Sequence, residues 1–158
     1  WAKDRLIPDI IAAFEKSAPV EIRNPHAIRP WQHVLEPLRG YLMLAERLYN
    51  DGPAFAEAWS FGPNDDDARP VGWIVEALVD RWGEGACWQR DGGEHPHEAT
   101  YLKLDISKVR QRLGWLPQLR LADALQYIVD WSKQRQRGAD VRDLTLNQIR
   151  HYQSLSLR

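Results

Sequence analysis

The chain has 158 residues, 27% of them charged, and its 21 Lys and Arg against 22 Asp and Glu leave a formal net charge of −1. So even a balance supplies no field for nucleic acid or an anionic membrane, and neither is expected as a partner. The length suits one domain with a real core. The single cysteine, Cys87, allows no internal disulfide and fits a cytoplasmic setting, and no apolar run approaches a membrane span.

The residues Trp1 to Arg5 carry acid and base without the apolar stretch of a signal peptide, and no Met opens the chain, so preceding residues are expected. Pro8 suits a first helical turn, and Ile7, Ile10, Ile11 and Phe14 repeat at helical spacing until Pro19. Val20 to Arg23 alternates as a short strand, and Asn24-Pro25 marks a turn. Arg29 precedes Pro30, which biases it toward an extended backbone and puts Trp31 and His33 on one face. A guanidinium fork held on a stiff segment at a helix entrance suits a phosphate or a carboxylate.

Val34 to about Tyr49 reads as a helix with one broad apolar face, stopped by Asn50 to Pro53. Ala58 to Phe61 reads as a short buried strand, and Asn64 to Asp67 as a solvated acidic loop without the spacing of a calcium site. Pro70 opens the clearest helix, with Val71, Ile74, Val75, Leu78, Val79 and Trp82 in helical register and Gly83 closing it. Ala86 to Trp88 reads as a strand, Gln89 to Glu94 as a loop, and Tyr101 to Leu104 as another strand. Asp105 is an N-cap for a helix carrying Ile106, Val109 and Leu113, ended by Gly114. Leu121, Leu125, Ile128 and Val129 make a further helix ending near Gly138, and the polar remainder is helical in part.

Short strands scattered among helices give an α/β class. The chain carries no glycine-rich phosphate loop and no nucleophile elbow. His95-Pro96-His97-Glu98 holds residue types that bind zinc, but it lacks a third and fourth ligand at a recurring distance, so no metal site is expected. His33 has no Ser or Cys partner in view and reads as a packed histidine. The eight tryptophans lack an adjacent basic stripe and read as core material.

Several strings in order carry a resemblance. They are Trp1-Ala2-Lys3-Asp4-Arg5-Leu6-Ile7-Pro8, Ile22-Arg23-Asn24-Pro25, Ile28-Arg29-Pro30-Trp31-Gln32-His33-Val34 and Trp59-Ser60-Phe61-Gly62-Pro63. His95-Pro96-His97-Glu98-Ala99, Leu104 to Lys108 and Leu113-Gly114-Trp115-Leu116-Pro117 follow. Over roughly 1–132 the chain resembles the C-terminal, substrate-binding part of extended short-chain dehydrogenases that act on nucleotide sugars, with the Rossmann half missing. The Arg29 and His95 strings resemble the branch of 4,6-dehydratases that takes CDP-glucose.

The resemblance implies a nucleotide-sugar-binding domain at 1–138 and a polar extension at 139–158. It implies that Asp4, Arg5, Leu6 and Pro8 wrap the sugar and nucleotide, and that Glu21 and Arg23 border the base. Arg29 would grip the diphosphate, and His95 and Glu98 would meet the diphosphate and ribose, His95 standing where related epimerases have an arginine. The implied reaction is loss of water from CDP-glucose to a 4-keto-6-deoxy sugar, with NAD as hydride carrier. NAD and the catalytic Tyr-x-x-x-Lys pair belong to the other half, so no catalytic residue is expected here. A homo-oligomer formed by that half is implied, and the helix from Val34 to Tyr49 would cover its sheet. An epimerase or another dehydratase of the same scaffold, or a non-catalytic tryptophan-rich binding module, are the alternatives.

Overall fold

A computed structural model describes residues 5–83, 85–93 and 99–155. Among them are six helices and four short strands in mixed α/β order. The helices are α1 (Leu6–Glu15), α2 (Leu35–Asp51), α3 (Val71–Trp82), α4 (Ser107–Leu113), α5 (Leu121–Gln136) and α6 (Val141–Leu155). The strands are β1 (Val20–Ile22), β2 (Ile28–Arg29), β3 (Arg69–Pro70) and β4 (Trp88–Arg90). No described helix is long and apolar enough to cross a membrane.

Two small ladders replace any continuous sheet. β1 pairs with β4 in parallel, Val20 opposite Trp88, and β2 pairs antiparallel with β3, Ile28 opposite Pro70. The main core lies between α1, β1, α3 and α5, where Ile10, Phe14, Ile22, Ile74, Leu78 and Leu125 meet. Each apolar face here follows the helical spacing of its segment, so burial and local propensity agree. A second cluster packs Phe61, Val109 and Leu113 around Trp115, which is fully buried. Gly114 turns the chain into it in the left-handed conformation, at φ 68°, where a side chain would be strained.

Several expected elements differ. Ala58 to Phe61 is irregular, because no described strand lies beside it to complete a ladder; Trp59 folds back and donates its indole N–H to the Phe55 carbonyl at 3.0 Å. Tyr101 makes a single bridge to Ile28 rather than opening a strand to Leu104. β4 starts at Trp88, two residues later than expected, and takes in Gln89 and Arg90 because it follows the register of β1. Asp67 is not solvated with its loop. It is 7% exposed and pairs with Arg120 at 3.3 Å. Asp105 is not the N-cap of α4, which is Ile106; it stands one residue earlier, and its carboxylate accepts the N–H of Ser107, two residues on, at 2.8 Å, as an Asx turn leading into the helix. The polar segment after Gly138 forms α6, which packs on α5 and buries Leu144 and Tyr152.

α2 turns Glu36 inward on the side where Met43 and Leu44 pack on the Trp115 cluster. Its buried residues are Glu36 and Gly40, while Leu42 is 73% and Tyr49 90% exposed. Gly40 is required by close approach, since a Cβ there would overlap the Phe61 ring. That ring is already held edge-on by Tyr41 and by Trp115, at 5.5 and 5.2 Å between centroids. Helix propensity alone favours Gly40→Ala by about 1 kcal/mol. We expect the overlap to win and the variant to lose about 1–3 kcal/mol in urea unfolding. A midpoint at or above that of the parent would mean that Phe61 is free to swing away.

Candidate functional site

The segment from Ile28 to Glu36 is pinned on both sides. Ile28 donates its N–H to Thr100 at 2.8 Å and accepts from Leu102 at 3.1 Å. Arg29 is extended, as its position before Pro30 dictates, and its Nη1 donates to the Ile28 carbonyl at 2.9 Å. Trp31 donates its indole N–H to the Arg69 carbonyl at 2.9 Å, and Gln32 donates to the Phe61 carbonyl at 2.7 Å. The guanidinium of Arg29 therefore leaves a backbone fixed by neighbours far away in sequence, Phe61, Arg69, Thr100 and Leu102.

Arg29 opens onto a cleft of about 260 Å³ between α1, β1 and the start of α3. Leu6, Glu21 and Arg23 line the same cleft, so the structure gathers four of the residues singled out in the sequence. Asp9, Asn24, Trp31 and Val71 complete much of its wall. Asp9 was legible in principle: it lies three positions after Leu6, on the same helical face. The lining carries two guanidinium groups and two carboxylates. Such a set can hold phosphate oxygens with charge-assisted bonds and accept hydrogens from hydroxyl or amino groups.

Arg5 is exposed at the entrance of α1 and does not line this cleft. Pro8 faces a different, mainly apolar cavity of about 390 Å³, bordered by His33, Tyr127, Trp131 and Ile149. Asp4, His95 and Glu98 lie outside the described residues. The packed reading of His33 holds: its Nδ1 accepts the Leu35 N–H at 3.3 Å, so the ring proton sits on Nε2, and the ring meets Tyr127 edge-on. Burial pushes its pKa down from 6.5 to about 4. Burial likewise raises that of Tyr127, with a smaller contribution from the Asp123 carboxylate.

The tryptophans are distributed through the packing rather than in a row. Trp115 is buried, while Trp31, Trp82 and Trp88 lie against the main core. Among the described residues no Ser, Thr or Cys is hydrogen-bonded to a histidine ring, and no three potential ligands gather for a metal ion. The residues present do not fit a dinucleotide. The described strands do not lead through a glycine-rich turn into a helix, and the glycines at positive φ, Gly52, Gly83, Gly85, Gly114 and Gly138, follow helices instead.

No protein-family profile matches the chain. Over all of its 158 residues it is 52% identical to the CDP-glucose 4,6-dehydratase of Salmonella typhimurium (strain LT2), and it spans 44% of that protein's length. The chain matches the C-terminal part of that dehydratase. The mixed α/β fold, with short ladders in place of a closed sheet, agrees with a C-terminal part of a Rossmann-type enzyme.

His33 gives the region a signed pH dependence. Between pH 6.5 and about 4 the unfolded chain takes up a proton at this histidine that the folded chain does not. Stability should therefore fall as pH drops through that window, by about 3 kcal/mol in full, and show no contribution from His33 above it. Urea unfolding at several pH values should show the parent losing more than His33→Gln; parallel losses would contradict the assignment.

Proposed function

We propose that this chain is the substrate-binding part of a longer nucleotide-sugar 4,6-dehydratase that converts CDP-glucose to CDP-4-keto-6-deoxyglucose. The observation that carries the reading is 52% identity, over the whole chain, to a protein named for that activity. The chemistry of the Arg29 cleft supports it. Arg29 offers a fork of donors to diphosphate oxygens, and Arg23 adds a second guanidinium. Glu21 and Asp9 can accept hydrogens from the base or the sugars, while Leu6 and Val71 supply apolar wall. Asp4, His95 and Glu98 complete the proposed contact set, with Arg5 at the entrance of α1, while Pro8, which faces the other cavity, drops out of it.

NAD would be held by a part of the protein outside this chain and would supply the hydride chemistry when bound. The chain alone is accordingly expected to be inactive. The outward apolar face of α2, with Val34, Leu38, Tyr41 and Leu42 exposed, is the surface that would pack on that other part. A cytoplasmic homo-oligomer built through that part completes the proposal.

Two measurements test it together. The full-length protein should convert CDP-glucose to a product lighter by one water, read by mass spectrometry; inertness toward CDP-glucose and other nucleotide sugars would sink the reading. Arg29→Ala in the same protein should weaken CDP binding by about 1–3 kcal/mol, the loss of a charged hydrogen-bond partner. Unchanged affinity by calorimetry, in a variant with unchanged melting temperature, would remove Arg29 from the site.

A further inference from the structure

Asp9 lies in the first turn of α1, three residues after Leu6, and both line the cleft in front of Arg29. That spacing places the two side chains on one face of the helix. The start of a helix favours an acid in any case, through the macrodipole, so the turn alone does not make Asp9 a ligand group. The wall it stands in does. The cleft has two carboxylates, and the other, Glu21, accepts from Gln89 on the neighbouring strand at 3.3 Å. Among the described residues the Asp9 side chain makes no hydrogen bond or ion pair.

A carboxylate beside phosphoryl oxygens repels them. A nucleotide whose diphosphate is held at Arg29 therefore turns its nucleoside, not its phosphates, toward Asp9. The surroundings suit a flat ring: Leu6 and Val71 are apolar and Trp31 is aromatic. What a carboxylate can tell apart is the edge of such a ring, because an ionised carboxylate only accepts hydrogen bonds. Cytosine carries an amino donor at the ring position where uracil carries a carbonyl oxygen.

We infer that Asp9 reads the base of the bound nucleotide: its carboxylate accepts a hydrogen bond from the exocyclic amino group of cytosine and repels the oxygen that uracil has there. The inference rests on the nucleotide-sugar reading above and adds to it the residue that selects the base. Contacts to phosphoryl oxygens are the same for both pyrimidine nucleotides. Asp9 meets the group in which they differ. A cytosine satisfies it, whereas a uracil strips water from the carboxylate and leaves it facing another acceptor.

Calorimetric titration of the full-length protein with CDP and with UDP tests this. The parent should bind CDP about tenfold more tightly than UDP, within the range for one well-placed contact to a base edge. Asp9→Asn should bring the two nucleotides within about twofold of each other, because a carboxamide can turn its oxygen to the amino group or its own amino group to the carbonyl. Asp123→Asn removes an acid from the first turn of α5, outside the cleft, and should leave the preference for CDP unchanged. The pair separates base reading from the loss of a helix-start charge, and a ratio of two affinities on one variant does not follow its stability. A preference of the parent's size in Asp9→Asn, whether or not both nucleotides weaken, overturns the inference and leaves the nucleotide-sugar reading standing. Equal binding of CDP and UDP by the parent does the same. A preference lost in Asp123→Asn as well traces it to helix charge and also overturns the inference. If the parent binds neither nucleotide, both readings fall.

Discussion

Glu36 sits in the first turn of α2 with 1% of its surface exposed, and a carboxylate so placed has to be matched by donors. It accepts the N–H groups of Gln118 and Leu119 at 2.9 and 2.7 Å and the hydroxyl of Tyr152 at 2.8 Å. Those partners come from the loop before α5 and from α6, so one side chain joins three parts of the chain. Burial drives the Tyr152 pKa up, and the Glu36 carboxylate adds to the shift, which keeps the hydroxyl a donor. Arg39 closes the set by donating to the Tyr152 oxygen at 3.2 Å while its guanidinium lies over Trp115. Only α6 docked in this place brings the Tyr152 hydroxyl to Glu36 Oε2, while the two backbone N–H groups serve Oε1, so the buried carboxylate favours this docking of α6.

The position of the cleft follows from that anchoring. Glu36 fixes the first turn of α2, and the residues just before it run as the pinned segment that carries Arg29. On its other side the segment is tied to β3 and to Tyr101. The backbone that carries Arg29 is therefore set by contacts distant from its guanidinium. A fork on a mobile loop would have to be ordered at the cost of binding energy, whereas the backbone beneath this one is already fixed.

What was legible in the sequence is what local physics decides. α3 and α5 follow from an apolar repeat with a clear start and stop, and the extended Arg29 follows from Pro30. Four of the proposed ligand residues converge on one cleft because helical and strand periodicity already placed them on compatible faces. What was not legible depends on partners far along the chain. A glutamate on an amphipathic helix reads as solvated, and Glu36 is buried only because Tyr152, 116 residues later, reaches it. Asp67 is hidden by Arg120 in the same way. Ala58 to Phe61 has the composition of a buried strand, but among the described residues it has no strand for a neighbour.

The central claim is that a nucleotide sugar lies along the cleft in front of Arg29. Mapping amide and indole shifts in the NMR spectrum as CDP-glucose is added locates the ligand without reference to activity. The account requires the largest changes at Glu21, Arg23, Arg29 and the Trp31 indole. Changes centred instead on Tyr127, Trp131 and Ile149, around the apolar cavity behind His33, would contradict it.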